Sequence, residues 1–367
     1  MALSKGIHKA AIMKPEWKDF LLNEGAEFND AGDCVSTFGN PKREMLVINT
    51  GEVICDLSHF GLIGVSGDDA ATFLQGQFTN DINQVSNNRS QLSAYCNPKG
   101  RMFANFRIFK RENTFYIELP LEVLETVLKR LRMFVLRAKV TIEAVSESLI
   151  RFGTSGNRIS REFCDIIGVM PAEVDDCIEF GDYTIIRVPS LTPSYEIHGQ
   201  MEPMQKLWQQ FNVDSAPVGA GAWQLLNIQA GVPVITAATS EAFVPQMTNL
   251  QLLGGVSFTK GCYTGQEIVA RMHYLGKLKK RMYRVHIDTD DEVSVGEALY
   301  AADSSAGQNT GAIVNAQPHP EGGIEALAVI QISDAEAGGL RLRDKSGPKI
   351  EVLELPYAFE TAEESPW

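Results

Sequence analysis

The run Lys260-Gly261-Cys262-Tyr263-Thr264-Gly265-Gln266-Glu267 places one cysteine between two glycines and just behind a lysine. Glycine admits backbone dihedrals closed to other residues and lets the main chain approach a ligand closely. A thiol on such a turn, with Lys260 two residues before it and Arg271 beyond it, lies among cations. Cations favour the thiolate, which is both the nucleophile and the metal ligand. Glu267 is placed to act as an acid or base, or to cap the helix that follows. The competing reading is that Cys262 is a small buried hydrophobe, the usual fate of a free cysteine. Spacing alone leaves both open.

Other groups carry weaker signals. Lys277 to Arg284 is the one dense basic run in an acidic chain. It suits an anionic ligand or RNA phosphate, or a solvated strand edge whose lysines discourage aggregation. Trp223 falls in a helical stretch and suits stacking on a planar heterocycle, or a place in the core. His59, His198, His273 and His286 have no ligand spacing. No dinucleotide fingerprint, Walker loop or nucleophile elbow is found, so nucleotide and serine-hydrolase chemistry lack support.

Composition sets the bounds. The chain has 367 residues, enough for two or three domains, and 44% hydrophobic residues, which is typical of folded chains. The formal charge of -13 disfavours nonspecific binding to phosphate backbones. Cys34, Cys55, Cys96, Cys164, Cys177 and Cys262 form no CxxC pair, so no stably bound metal is expected and the thiols read as reduced. No secretory leader and no membrane-length apolar run is found, so the chain reads as soluble and cytoplasmic.

The elements that must position these residues follow from periodicity. Leu62–Val65 reads as a strand, Ala71–Leu74 as a helix, and 91–96, 102–110 and 115–119 as strands around the Pro98-Lys99-Gly100 turn. Leu121, Leu124, Leu128 and Leu131 mark a helix, and 139–145 a strand. This order suits a ferredoxin-like unit. A fainter version runs from 149 to 211, with strands near 149–152, 183–188 and 195–198 and a helix at 203–211. Ala220–Ala230 reads as a helix, stopped by Gly231 and Pro233. Short alternating segments from 282 to 353 imply a small β-barrel. The expected domains are a leader (1–50), a first α+β unit (51–148, completed by 213–276 with the cysteine loop), a second unit (149–212), a β-barrel (277–357) and a tail (358–367).

The run from Lys260 to Glu267 resembles the K-G-C-Y-x-G-Q-E signature of the YgfZ family at every fixed position. Residues 230–235, 243–250, Leu74-Gln75-Gly76-Gln77 with Asp81, and Leu355-Pro356-Tyr357 are also similar to that family. The family is related to the aminomethyltransferase, or T-protein, of glycine cleavage. The resemblance implies an α+β fold of two ferredoxin-like units plus a C-terminal β-barrel round a central channel. It implies binding of tetrahydrofolate or a derivative, and a role in assembling or maintaining iron–sulfur enzymes. Clients of that kind include a tRNA methylthiotransferase, so the protein would support tRNA modification without stably binding nucleic acid itself. It places Phe60, where the bacterial pattern often has Trp, and Trp223 at two aromatic positions flanking folate. Glu196 resembles the T-protein glutamate that grips the pterin. Where T-proteins carry paired aspartates, this chain has Ala104 and Asn105. Asn105 can hydrogen-bond a pterin but cannot ionise.

Three functions compete. The first is a folate-dependent accessory factor acting through Cys262. The second is a one-carbon transferase of the aminomethyl type, which Ala104 and Asn105 disfavour. The third is a direct tRNA-binding modification factor, which the acidic balance disfavours.

Overall fold

A computed structural model describes residues 13–301 and 309–359 of the chain. The alternating stretch after residue 60 folds as its period requires. Phe60–Ser66, Gln91–Cys96, Met102–Arg111, Thr114–Pro120 and Thr141–Ala144 are strands, and Ala70–Gln75 and Leu121–Met133 are helices. The sheet runs 91–96, 102–111, 114–120, 60–66, 141–144, with every neighbour antiparallel. Val123, Leu124, Val127, Leu128 and Leu131 recur at helical spacing and bury one face of their helix against Ile63, Phe106, Ile108 and Ile117. Each such side chain contributes about 1.5–3 kcal/mol of burial.

The second unit repeats that order. A strand (Ile150–Ser155) and a helix (Ile159–Ile166) precede three antiparallel strands, Cys177–Phe180, Tyr183–Arg187 and Ser194–Gly199. A second helix (Met201–Phe211) and a closing strand (Ala216–Val218) follow. Both sheets therefore follow one wiring, with a single difference. Val53–Asp56 is inserted between 150–155 and 216–218, antiparallel to the first and parallel to the second. The 159–166 helix and the 177–180 strand were not expected from the sequence.

Two expected boundaries are corrected. Residue 53 does not open the first unit, because all four residues of Val53–Asp56 are buried inside the second sheet. The 216–218 strand and the 220–229 helix also belong with that second sheet, through a core of Cys55, Val218, Trp223 and Leu226. The described part of the expected leader is not a loose extension. Its helix Pro15–Asn23 buries Trp17 and Leu21 completely in the core of the second unit, and Trp17 Nε1 donates to buried Asp56 at 2.8 Å. The Glu44 carboxylate accepts from Thr37, Phe38 and Asn40, and from Gly219 N at 2.9 Å, which ties this segment to the start of the 220–229 helix. Residues 1–12, and the expected tail beyond 359, lie outside the described residues.

The C-terminal strands Lys280–Ile287, Ile324–Gln331, Gly311–Pro318, Ala298–Ala301, Leu340–Leu342 and Lys349–Leu353 close into a barrel in that order. Along 324–331, Ala326, Ala328 and Ile330 fill the barrel. Leu327 and Val329 point the other way and pack with Ile228 and Ile235. The barrel thereby docks on the 220–229 helix. The α+β class with a small C-terminal barrel is what the chain forms. Among the described residues, no helix is long and apolar enough to cross a membrane.

Candidate functional site

A cavity of about 770 Å³ lies where the first unit, the 220–229 helix and the barrel meet. Phe60, Pro120 and Leu124 line it from the first unit, Gln224, Asn227 and Ile228 from the helix, and Asn315 and Gln317 from the barrel. Asp33, Glu122 and Glu125 also face it, with no lysine or arginine among the described lining residues. Phe60, Pro120, Asn227 and Val234 are shared with a smaller recess of about 60 Å³, so the recess is an inner extension of the cavity. Asn105, Arg107, Glu118 and Glu196 line this recess. The structure thus brings three sequence-predicted residues, Phe60, Asn105 and Glu196, to one continuous space.

Strand alternation explains why charge gathers there. Asn105, Arg107 and Phe109 share a face of the 102–111 strand, opposite Phe106 and Ile108, which enter the first core. Glu118 sits directly across from Arg107 in the strand register. Glu196 and His198 are two residues apart on the facing sheet. The two sheets meet along this polar layer. Arg107 binds Asp175 at 2.5 Å and Glu196 at 3.3 Å, Arg111 donates to Thr184, and Phe109 stacks obliquely on His198 with ring centroids 4.5 Å apart. His198 Nε2 lies 3.3 Å from Glu118 Oε2. Burial, reinforced by neighbouring Glu196, raises the Glu118 carboxyl far above the carboxylate range. Burial also raises Glu196, against the pull of Arg107. Burial and then the Arg151, Arg107 and Arg111 cations hold His198 neutral. Ligating atoms of Glu118, Glu196 and His198 lie within 4.8 Å of one another, a spacing a cation could use. Arg107 already supplies positive charge at Glu196 Oε2, however, and the other arginines add to it.

Arg107 and Glu118 escaped sequence reasoning, and His198 was set aside for want of ligand spacing. Their signal was present: charged residues at alternate positions of otherwise apolar strands mark a face that meets polar partners.

Asn105 holds structure as well as facing the recess. Its amide donates to Pro233 O at 2.7 Å and accepts from Ile235 N at 2.8 Å, which fixes the 233–235 segment along the cavity wall. The structure places Trp223 elsewhere than the sequence suggested. It is 2% exposed, absent from the cavity lining, and its six-membered ring lies against Gly153 so closely that a Cβ there would come within 2.4 Å. On the short 220–229 helix, Gln224, Asn227 and Ile228 face the cavity while Trp223 points into the second-unit core.

The cysteine loop stands apart from the cavity. Cys262 is exposed, and neither it nor another residue of the 260–267 run lines the cavity or its recess. Gly265 starts the Gln266–Tyr274 helix with φ of +85°, and a Cβ on it would meet Asn97 O at 2.4 Å. Close approach and a left-handed backbone therefore both require glycine here. Tyr263 is buried beneath the loop. Lys260 does not serve as a free cation for the thiol. Its ammonium donates to the carbonyls of Gln75 and Phe78 at 2.7 Å and of Asn80 at 3.0 Å, and burial pulls its pKa down to about 8. Glu267 and Arg271 are exposed on the helix, and Gln266 is half-buried at its start. Gly261 has open space around it. In the basic run, Arg284 pairs with Glu325 and Arg281 lies over the Phe359 ring, so part of the run is structural.

Residues 19–165 match the GCVT N-terminal domain family. The chain is 30% identical over 306 residues to the tRNA-modifying protein YgfZ of Colwellia psychrerythraea, covering 83% of this chain and 93% of that one. It is 31% identical over 307 residues to the protein of that name from Yersinia pestis, covering 83% and 92%. The chain belongs to the YgfZ family. Its fold is similar to that of the glycine cleavage system aminomethyltransferase T from Bartonella henselae, with a TM-score of 0.77 at 17% identity, over 96% of this chain and 98% of that one. The YgfZ family signature coincides with the exposed turn around Cys262. The aminomethyltransferase likeness spans both sheet units and the barrel, the parts that enclose the cavity.

Proposed function

We propose that this member of the YgfZ family supports tRNA modification as a folate-binding accessory factor. A reduced folate occupies the cavity, and Cys262 acts outward on iron–sulfur proteins during their assembly or maintenance. The observation that carries the reading is the cavity itself. It is roomy and largely apolar at Phe60, Leu124 and Ile228, and narrows to a recess with convergent polar groups at Asn105, Glu118 and Glu196. A pterin presents N–H donors to such carboxyls, with its tail toward the mouth. The shared name of the relatives supports tRNA modification as the outcome, and an exposed thiol on a rigid glycine turn supports a macromolecular client. The protein would act in the cytoplasm, with the client enzyme as its partner.

The test has two arms. Purified protein is titrated with tetrahydrofolate by calorimetry, with Phe60→Ala and Glu196→Gln beside the wild type. Phe60→Ala should weaken binding by about 1–3 kcal/mol, a typical stacking loss. Methylthiolated nucleosides are then measured in tRNA from cells carrying wild type or Cys262→Ser. Absence of folate binding removes the first half of the reading; full modification with Cys262→Ser removes the second.

A further inference from the structure

We propose that Glu118 and His198 together hold one proton at the inner end of the cavity and give it up when a heterocycle bearing N–H donors enters. The identity of that heterocycle as a reduced pterin rests on the folate reading above; the resting proton does not.

Glu118 and His198 are each almost wholly buried, and neither Glu118 Oε2 nor either ring nitrogen of His198 has a hydrogen-bond partner among the described residues. Such groups are costly unless a ligand or a proton satisfies them. The surrounding charges decide which carboxyl keeps the proton. From the 102–111 strand, Arg107 binds Glu196 and Asp175, and Arg111 is held by Thr184. From the 150–155 strand, Arg151 donates to the carbonyls of Leu57, Ser58, Phe60, Ser146 and Leu149 and faces Asp56. Neutral His59 lies near Arg151. Glu196 therefore has a cation in contact, whereas Glu118 pairs with no lysine or arginine among the described residues; Arg151 and Arg107 act on it from farther off, and neutral His198 at 3.3 Å and a second carboxyl lie beside it. Two neighbouring buried carboxyls do not both ionise readily, and the one with no cation in contact retains the proton. That proton belongs to the Glu118–His198 pair rather than to either member.

Glu118 also lines the recess, so its free oxygen faces any ligand there. A ligand N–H needs an acceptor, which the carboxylate provides. On binding, the carboxyl proton passes to solvent, the ligand N–H donates to Glu118 Oε2, and no covalent bond of the ligand changes.

The experiment is tetrahydrofolate calorimetry at pH 7 in buffers of different ionisation heat, with wild type and Glu118→Gln. The expected wild-type result is release of about one proton per ligand, with affinity rising about tenfold per pH unit below the Glu118 titration. Glu118→Gln should bind with no proton release and a flat pH profile. Wild type without buffer dependence, or Glu118→Gln releasing a proton as wild type does, overturns the proposal. Infrared spectra of ligand-free wild type, compared with Glu118→Gln, give a second readout that needs no folate. A buried protonated carboxyl at pH 7 that disappears in the variant is expected, and its absence from wild type overturns the proposal. If tetrahydrofolate gives no heat at all, the folate reading fails and the infrared result alone decides the resting proton.

Discussion

Replacing Lys260 by methionine separates two roles that the signature run leaves entangled. If the lysine tuned the thiol, its loss would slow Cys262 and leave the fold alone. Its geometry argues for an anchor instead. Three hydrogen bonds, at 2.7, 2.7 and 3.0 Å, join its ammonium to carbonyls at the end of the 70–75 helix and in the segment after it. Bonds to charged groups contribute about 1.5–3 kcal/mol each. Their sum overstates the loss, because removing a buried ammonium also relieves its desolvation and neighbouring bonds are not additive. A net loss of about 3–5 kcal/mol is expected, since the carbonyls stay buried without a donor. Urea unfolding with fluorescence and circular dichroism measures the loss, and both probes are needed because a chain of several units need not unfold in one step. Alkylation of Cys262 in the folded variant measures the thiol. A Lys260→Met protein within about 0.5 kcal/mol of wild type, the range of an ordinary surface change, but with a slowed thiol would refute the anchoring argument.

Of the six cysteines, only Cys262→Ser should abolish support of client enzymes in cells, while Cys55→Ser, Cys96→Ser and Cys177→Ser, all buried, should lose about 1–3 kcal/mol of stability and keep function. Trp223→Ala should lower stability by about 3–5 kcal/mol through a core cavity, yet leave folate affinity within about twofold at temperatures where the variant is folded; a large loss of affinity there would return Trp223 to the ligand site. Above the ordinary histidine range, stability should fall as pH rises toward the Glu118 titration, because the folded state keeps a proton up to about 8 that the unfolded chain loses near 4.3, whereas buried neutral His59 and His198 act in the opposite sense below about 6.5. Glu118→Gln should flatten that slope in urea midpoints measured from about pH 7 to 8, and an unchanged slope would locate the proton elsewhere. Methylenetetrahydrofolate should not form at enzymatic rates, about 1 per second or faster, from aminomethylated carrier protein and tetrahydrofolate, since Asn105, which faces the recess, cannot ionise, and Ala104 is buried in the first core; turnover at that rate would promote the transferase reading.

The first unit was legible because its signals agree. Alternation from 91 to 119, a glycine turn at 100 and leucines at helical spacing all specify the same local structure. The second unit was only half legible. Ile159, Phe163 and Ile167 have helical spacing and are buried together, but the helix is short and lies among polar residues. The strand at 53–56 is apolar in sequence, yet its two partners lie about 100 and about 160 residues further along the chain. Its sheet could not be read locally. The cysteine loop was conspicuous, since glycines on both sides of a thiol mark a backbone shape that core packing alone seldom demands. The recess was not, because Arg107 and Glu118 acquire meaning only when the facing sheet brings Glu196 and His198 against them. Trp223 shows the same limit from the other side: a tryptophan on a helix announces its size, and the space left by Gly153 on another strand decides its place.

The placement of the thiol constrains any mechanism that uses both features. Gly100, which touches the Gly265 turn, opens the strand that carries Asn105. At ~3.3 Å per residue the strand covers about 10 Å from Met102, two residues beyond Gly100, to Asn105. Cys262 lies at the solvent end of this path, while the recess lies between the sheets. Cys262 lines neither the cavity nor its recess, so it does not face a ligand bound against Glu196. On the proposed reading, then, folate is not the substrate of the thiol. Its binding can affect Cys262 only through the protein, and the segments available are the 102–111 strand and the chain held to it by Asn105 at 233–235, by Met102 at 241 and 243, and by Gly100 beneath the loop. Filling the cavity would stiffen that connected set and steady the turn that presents Cys262 to its client. Hydrogen exchange in the 260–274 segment should therefore slow when tetrahydrofolate is added, although no residue of that segment touches the cavity. Unchanged exchange there, alongside protection of the recess strands, would mean that the two sites work independently.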